Sequence, residues 1–473
     1  MTEIKSAALE LGTERIRKLL VQYAVPAIIA MTASSLYNMV DSIFIGHGVG
    51  PLAISGLALT FPLMNLAAAF GSLVGVGAAT LISMRLGQRD YETAQRVLGN
   101  VLVLNLIIGI AFGLVALLFL DPILYFFGAS EATIGYAREY MTVILLGIPL
   151  TMLYNMEAAL LRAVGNSVTP LLFLLFKSMY ATINTVVINT ILDPLFIFGF
   201  GWGIRGAAIA TVLAQVISLV WQLRILSNKQ ELLHFRRGIY RLRKKIVRDM
   251  LAIGMSPFLM NLAACFIVIL INKGLKEYGG DLMIGAYGIV NRLAFFFVMI
   301  VLGVNQGMQP IAGYNFGAKQ YDRVMRVLKL TMIGATCVTT AGFLLGEFMP
   351  RLAVGMFTSD EELIRLAVEG MRIVFFCFPI IGFQMVATNF FMSIGMAGKA
   401  IFLSLSRQLL FLMPGLIFLP HIFDVCTEWN GSWGVWCSMP LSDFLASLVA
   451  FFMLTYQLRK FRAIGAENAA KEG

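Results

Sequence analysis

The feature that most constrains this chain is a series of apolar runs, each of about 20 residues or more, that recurs from Val21 to Leu454. One soluble core does not bury so many runs of this length, whereas each run is long enough to cross a bilayer. Charged residues make up only 13% of the 473 residues, against about 25% in a typical soluble domain. Only helices and closed barrels satisfy the backbone in lipid, and these runs are too long for barrel strands. The sequence therefore predicts an all-α integral membrane protein and excludes a soluble enzyme, a disulfide scaffold and a disordered chain.

Hydropathy resolves these runs into twelve predicted transmembrane helices. The predicted spans are 19–45, 52–84, 93–120, 134–162, 168–198, 203–226, 248–276, 283–314, 322–346, 364–394, 399–420 and 435–458. Most of the 36 Lys and Arg residues fall at the two termini and in the even-numbered loops. By the positive-inside rule, this asymmetry places both termini in the cytoplasm, with a bacterial inner membrane as the expected location. The net charge of +10 therefore reflects topology, and nucleic acid is not an expected partner.

The two halves of the sequence repeat each other with a constant shift of 230 residues. Matching positions include Gly87, Tyr91 and Arg96, which fall on Gly317, Tyr321 and Arg326. The repeat predicts two pseudo-symmetric six-helix lobes, 1–226 and 246–473, joined by a basic cytoplasmic linker, 227–245, that lies against anionic headgroups. Six spans per half give both lobes the same orientation, so we expect them to meet around a central cleft. This arrangement is typical of transporters, and a channel would leave the repeat unexplained.

Two acids inside predicted spans are the most informative polar residues. Asp41 lies in the first span, and Asp193 ends a polar stripe on the fifth span that includes Asn189. Thr211 begins a similar stripe on the sixth span. Intramembrane acids cost about 2.5–3.5 kcal/mol on insertion scales and usually have functional roles, and such oxygen atoms suit a proton or a hard cation such as sodium. The alternative is that both acids lie in water at outer helix ends, since Pro194 is a typical helix-stop signal.

The other charged residues within spans are expected to be structural. Glu157 is expected to pair with Arg162 or Lys177, and Asp443 with Arg407. Pairing of this kind is the usual way in which buried charge is tolerated in a membrane protein.

The sequence predicts no metal cluster and no nucleotide cofactor. The five cysteines show neither a CxxC motif nor a Cys/His metal spacing. Cys426 and Cys437 share the last predicted external loop, where they either pair in an oxidising compartment or stay reduced. His47 lies between glycines in a predicted external loop, where we expect it to be solvated. No Walker A loop is present, so ATP does not drive the protein directly.

Four segments carry a more specific signal. They are YNMVDSIFIGHGVG (37–50), LLRAVGNSVTP (160–170), INTILDPLFIFGFGWGIRGAAIATVLAQ (188–215) and GMQPIAGYNFGAKQYDRV (307–324). Together they resemble the multidrug and toxic compound extrusion (MATE) family, and the resemblance covers essentially the whole chain. It implies a twelve-helix, two-lobed exporter that exchanges drugs or metabolites for inward protons or sodium ions.

The pattern is similar to the branch of this family whose cation site lies in the N-terminal lobe. The resemblance implies that Asp41, Asn189, Asp193 and Thr211 form that site. Another branch has essential acids on helices seven and ten, and here helix ten has no acid between positions 374 and 394.

We therefore expect a secondary active antiporter, not an enzyme, that exports amphipathic and often cationic compounds and so supports antibiotic resistance. By the same resemblance, Tyr37, Asn155 and Gln215 are expected to contact the substrate. The expected partners are small molecules and membrane lipids. The chain is expected to be a monomer with no cofactor besides the coupling ion.

Two alternatives to the antiporter stay open at this point. A lipid-linked precursor flippase of the same superfamily typically needs a cationic cavity for pyrophosphate, and only Lys177, Arg292 and Arg407 are candidates. A membrane-embedded prenyl transferase would need closely spaced aspartates for magnesium, and no DDxxD-like motif occurs in any span.

Overall fold

A computed structural model of the chain describes residues 11–87, 90–168, 184–227, 234–236, 238–426 and 430–472. Within these ranges the regular structure is helical and no strand is present. The N-terminal half contains α1 (Ile16–Gly48), α2 (Pro51–Leu59), α3 (Phe61–Gly87), α4 (Tyr91–Leu118), α5 (Leu120–Phe126), α6 (Ile134–Val168), α7 (Asn184–Gly199) and α8 (Gly203–Leu226). The C-terminal half contains α9 (Lys244–Gly317), α10 (Tyr321–Phe348), α11 (Pro350–Gly355), α12 (Glu361–Phe375), α13 (Phe378–Ser393), α14 (Ala397–Leu405), a π-helix (Ser406–Leu412), α15 (Met413–Cys426) and α16 (Gly431–Glu472).

These helices lie over all twelve predicted spans, so the all-α, multi-pass membrane fold is confirmed. Among the described residues, eight helical stretches are long and apolar enough to cross a membrane, and α12 with α13 forms a further span bent by 53°. The long helix α9 covers two predicted spans because Gly280, with a φ of 73°, interrupts it. The left-handed φ of this turn favours glycine, which has no Cβ.

Two predicted loop positions are wrong. Helix α1 extends to Gly48, so His47 lies exposed in its last turn and not in a loop. Cys437 lies in α16 rather than in the last external loop, and it carries a free thiol. The side chain of Cys426, its suggested partner, lies outside the described residues.

The helix stop expected at Pro194 is also wrong. Helix α7 continues through Pro194 and ends in a π-helical turn, Leu195–Gly199. Proline has no N–H to donate to the α-helical ladder, and the wider turn follows directly after it. Asp193 therefore lies within a helix and not at an exposed helix end.

The chain folds into two compact units. One comprises Met1–Leu36, Ile289–Met356 and Glu361–Gly473, and the other comprises Tyr37–Gly288 and Phe357–Asp360. The units divide α1 and α9 internally, so the start of α1 groups with the C-terminal helices and the start of α9 groups with the N-terminal helices. The lobes predicted above are defined by the sequence repeat and not by contacts, so their boundaries stay a prediction.

Close helix contacts in the two units repeat with the same shift as the sequence. In the first unit, a Cβ added to Gly307 would lie 2.6 Å from the backbone nitrogen of Ala24. In the second unit, a Cβ added to Gly77 would lie 3.2 Å from the backbone nitrogen of Gly254. The shift of 230 residues converts the first pair into the second. Small residues at these points allow the helix backbones to approach closely, and each unit therefore holds the start of one divided helix in the same way.

The segment that precedes α9 is anchored to α4 by one buried amide. Asn100 donates hydrogen bonds to the carbonyl oxygens of Ile239 and Arg241, at 3.2 and 3.1 Å. Its own oxygen accepts a 2.7 Å hydrogen bond from the backbone N–H of Arg243. These bonds satisfy backbone groups of an irregular segment that would otherwise be left unpaired.

The segment that precedes α1 is held in a comparable way within the first unit. Asn315 donates a 3.0 Å hydrogen bond to the carbonyl oxygen of Leu11. Arg323 donates to the carbonyl oxygens of Leu11 and Glu14, at 3.0 and 2.7 Å. Both divided helices are thus entered through a segment fixed by side chains of the same unit.

Candidate cation site

Four residues that the sequence analysis singled out are all buried in the second unit. Asn189 and Asp193 are 0% exposed, and Asp41 and Thr211 are each 4% exposed. The alternative in which both acids lie in water is therefore wrong. Burial of two carboxylates is costly unless a proton, a cation or hydrogen bonds compensate their charge.

Helix α7 places an amide and a carboxylate on one face. Asn189 and Asp193 are four residues apart, and the Nδ2 of Asn189 donates a 2.9 Å hydrogen bond to Oδ1 of Asp193. The carboxylates of Asp41 and Asp193 interact electrostatically with each other. The structure thus brings together an acid from α1 and an acid from α7, which are more than 150 residues apart in sequence.

Tight packing at small residues brings the three helices of the site together. A Cβ added to Gly48 at the end of α1 would lie 2.7 Å from Cγ2 of Ile197 in α7. A Cβ added to Gly206 on α8 would lie 2.9 Å from the backbone of Phe196. Glycine at these two positions allows α1 and α8 to contact the end of α7 closely. Thr211 lies on α8 a little more than one turn beyond Gly206.

Several oxygen atoms in this cluster lack a hydrogen-bond partner. Among the described residues, Oδ1 of Asn189, Oδ2 of Asp193 and Oγ1 of Thr211 are buried and make no hydrogen bond. Buried polar atoms are normally satisfied, so three such oxygens in one site are unusual. Carboxylate, amide and hydroxyl oxygens are the ligands that hard cations prefer. The cluster is chemically suited to hold a proton on a carboxylate or a small hard cation between the helices.

The composition of the cluster limits which ions fit it. No group of three or more His, Cys, Asp or Glu side chains that could hold a metal occurs in the part of the chain that the structure describes. The available donors are oxygens, two of them from carboxyl groups, and no nitrogen or sulfur ligand accompanies them. This donor set does not fit zinc or copper, which favour imidazole and thiolate ligands.

The residues expected to contact substrate are placed less uniformly. Gln215 is half-buried on α8, and its Oε1 accepts a 2.6 Å hydrogen bond from Oγ1 of Thr151 on α6. Asn155 is exposed, and its amide donates to the carbonyl oxygen of Thr151 on its own helix, at 3.0 Å. The side chain of Tyr37 lies outside the described residues. The structure therefore links Gln215 to α6 and leaves Asn155 on an accessible face.

A hydrogen-bonded group that the sequence analysis missed lies next along the same helices. Oγ1 of Thr185 donates to the hydroxyl of Tyr154 at 3.2 Å and lies 2.6 Å from Oγ of Ser218. It connects α6, α7 and α8. The signal available in the sequence was the three-residue spacing of Thr151 and Tyr154 on α6, in register with the polar stripe of α8.

The predicted structural pairs have different outcomes. Nε of Arg407 lies 2.6 Å from Oδ1 of Asp443, which confirms that ion pair. Glu157 is 0% exposed. Its suggested partners, Lys177 and the side chain of Arg162, lie outside the described residues.

Comparison with known proteins gives consistent results. The MatE family model matches residues 26–195 and 254–417. The chain is 28% identical over 446 residues to the multidrug export protein MepA of Staphylococcus aureus (strain MSSA476), covering 93% of this chain and 94% of that protein. It is 26% identical over 442 residues to MepA of Staphylococcus haemolyticus (strain JCSC1435), with the same coverage of both chains.

Solved structures show the same fold over nearly the full length. The MATE multidrug transporter DinF-BH, solved in complex with a drug substrate, is 35% identical, with a TM-score of 0.76 over 94% of this chain and 96% of that chain. An inward-facing MATE family transporter of the MOP superfamily has a TM-score of 0.83 at 23% identity, over 94% of this chain and 99% of that chain. At that identity the second likeness concerns the fold alone.

Proposed function

Because this chain belongs to the MatE family of membrane transporters, we propose that it is a secondary active multidrug exporter that exchanges small molecules for inward protons or sodium ions. The observation that carries the proposal is the buried oxygen cluster of Asp41, Asn189, Asp193 and Thr211. Two buried acids with unsatisfied oxygens beside them form a site that changes charge when an ion binds or leaves. The relatives named above support multidrug export, since they carry that description.

The exchange cycle follows from the charge of the cluster. A proton or sodium ion from outside neutralises the carboxylates of Asp41 and Asp193, and α1, α7 and α8 then repack around the filled site. This repacking lowers the affinity for the exported compound, which leaves to the outside. Ion and substrate need only favour opposite states for their movements to be coupled. The membrane potential contributes about 2.3 kcal/mol per charge per 100 mV to inward ion release.

The proposed substrates are amphipathic and often cationic compounds. An acidic cluster favours positive charge, and aromatic and methionine side chains adapt to varied apolar shapes. The solved complex of the related transporter DinF-BH with a drug supports a small-molecule substrate. We propose Tyr37, Asn155 and Gln215 as substrate contacts, because they lie on the helices that also carry the cation cluster or pack against it.

The remaining features of the proposal concern its setting. We place the chain in a bacterial inner membrane as a monomer among lipids, with both termini in the cytoplasm, following the distribution of Lys and Arg. The coupling ion is the only non-protein component that the mechanism needs. The flippase alternative is less well supported, because Arg407, one of its few candidate cations, is already paired with Asp443.

Transport by the purified protein in liposomes tests the proposal. Vesicles are loaded with an acid or a sodium-rich interior, and uptake of the fluorescent cation ethidium is followed with each gradient imposed separately. We expect one gradient to drive uptake, and an ionophore that collapses that gradient to abolish it. Protein-free liposomes are the control. Uptake that is indifferent to both gradients would contradict the antiport proposal.

A further inference from the structure

Glu157 on α6 is a fully buried acid that the mechanism above does not use. It is 0% exposed, and neither carboxyl oxygen makes a hydrogen bond to any described residue. No charged side chain in the described part of the chain interacts with it electrostatically. A buried carboxyl group in such surroundings is costly to keep ionised, and intramembrane acids are usually functional.

The titratable groups on the helices that pack against α6 do not compensate Glu157. On α3, Arg85 lies near Asp90, and on α4, Arg96 pairs with Glu92. On α8, Arg224 is exposed near the helix end. The titratable groups near or on the same helix are Tyr154, in contact with Thr185, and Arg138, paired with Asp121 near the start of α6.

Contacts between α6 and α8 define the level of Glu157. The two helices run parallel, and Thr151 contacts Gln215 with a sequence separation of 64 residues. The group of Tyr154, Thr185 and Ser218 keeps the same separation between α6 and α8.

The next step of this register places Glu157 level with Gln222. Gln222 is 1% exposed, and its Oε1 has no hydrogen-bond partner among the described residues. Thr211 and Gln222 are separated by eleven positions on α8, or about 16 Å along the helix axis.

The polar residues along α6, α7 and α8 thus form a continuous series that we call the polar file. Its members are Thr211, Gln215, Ser218 and Gln222 on α8, Thr151 and Tyr154 on α6, and Thr185 on α7. It begins at the cation cluster and reaches Glu157 toward the end of α6 that the positive-inside rule assigns to the cytoplasm. Hydroxyl and amide groups at this spacing can relay a proton with the help of intervening water.

We propose that Glu157 is a second proton-carrying carboxylate of the exchange cycle, located at the cytoplasmic end of the polar file. The inference rests on the proposed function and commits to the proton as the coupling ion. A proton that leaves the Asp41 and Asp193 cluster passes along the file and binds to the carboxylate of Glu157. Glu157 then gives this proton to water at the cytoplasmic side, so each proton taken from outside is released inside.

The first experiment compares two transport modes of Glu157→Gln in liposomes. Ethidium counterflow without an ion gradient needs no net proton movement, so we expect it to stay at the wild-type rate. Ethidium uptake driven by a pH gradient needs proton release, and we expect it to fall at least about tenfold. Asn105→Leu is the matched control, because Asn105 is also fully buried in the same unit without a described partner but does not titrate. We expect that control to keep both transport modes.

The second experiment uses the wild-type protein and does not depend on the folding of a variant. Dicyclohexylcarbodiimide reacts with protonated carboxyl groups in apolar surroundings and leaves a stable N-acylurea that mass spectrometry locates. We expect labelling of Glu157 at neutral pH that decreases as the pH rises. The exposed Glu92 is the internal control and is expected to stay unlabelled.

The outcomes separate this inference from the proposed function. Wild-type uptake that ignores both gradients contradicts the proposed function itself. Uptake driven by protons in the wild type and equally well in Glu157→Gln would overturn only the role of Glu157. Sodium-driven uptake that ignores pH, or no labelling of Glu157 at any pH, would overturn the inference and leave antiport intact.

Discussion

The Nδ2 of Asn189 donates a 2.9 Å hydrogen bond to Oδ1 of Asp193, one helical turn further along α7. This bond fixes the amide so that its own oxygen and the second carboxyl oxygen stay available, and neither has a partner among the described residues. The pair therefore presents two oriented oxygens from one helix. Asp41 and Thr211 supply the remaining oxygens from α1 and α8.

Replacing Asp193 by asparagine tests the charge of the cluster. The variant Asp193→Asn keeps the shape of the side chain but does not bind and release a proton, so we expect gradient-driven ethidium uptake to fall at least about tenfold. Membrane insertion should be unchanged because a neutral amide is easier to bury than a carboxylate. Asp443→Asn is the control, since Asp443 is equally buried but paired with Arg407. Wild-type uptake by Asp193→Asn would locate the coupling site elsewhere.

The contact between α3 and α9 predicts opposite effects for two glycines of one helix. A Cβ at Gly77 would meet the backbone oxygen of Met250, so Gly77→Ala should destabilise the protein by about 1–3 kcal/mol. A Cβ at Gly71, on the same helix, meets nothing within 4 Å. Gly71→Ala should therefore be neutral or stabilising by about 0.5–1 kcal/mol. Thermal unfolding in detergent measures both, and equal melting temperatures would refute the close contact.

The anchoring of the segment before α9 predicts a change in protease sensitivity. Asn100→Leu removes the hydrogen bonds to Ile239, Arg241 and Arg243, and such losses typically cost about 1–3 kcal/mol. We expect trypsin to cleave after Arg241 or Arg243 faster than in the wild type. Asn105→Leu, on the same helix, should leave the cleavage rate unchanged. Equal rates in the two variants would show that Asn100 does not restrain this segment.

The start of α4 predicts a pH-dependent contribution to stability. The side chain of Thr93, and then its backbone N–H, bind the carboxylate of Asp90 and hold its pKa below the usual value. A lowered folded-state pKa means that the stabilisation is present above the unfolded-state pKa and is lost as the pH falls through the folded-state pKa. We expect Asp90→Ala to lower the melting temperature at neutral pH, with the difference disappearing in acid.

The sequence repeat supplies a control for the Asp90 experiment. Gln320 occupies the equivalent position before α10, and its side chain makes no capping hydrogen bond. Gln320→Ala should leave the melting temperature unchanged at every pH. A pH-dependent effect at Gln320, or a pH-independent effect at Asp90, would contradict the capping role.

Much of this protein follows from the sequence because the bilayer imposes simple rules. Long apolar runs require helices, the distribution of Lys and Arg gives an expected orientation, and acids within spans draw attention to Asp41 and Asp193. Helical spacing alone also associates Asn189 with Asp193 and relates Thr211 to the polar stripe of α8. These features depend on local composition and periodicity.

Other features were decided only by the tertiary structure. Helix α7 continues past Pro194 and buries Asp193, Glu157 is buried with no partner among the described residues, and the start of α1 packs in the unit of the C-terminal helices. The physical reason is that these outcomes depend on close contacts between helices far apart in sequence, such as Ala24 with Gly307. Periodicity shows which face of a helix avoids lipid, but it does not show which neighbouring atoms that face meets.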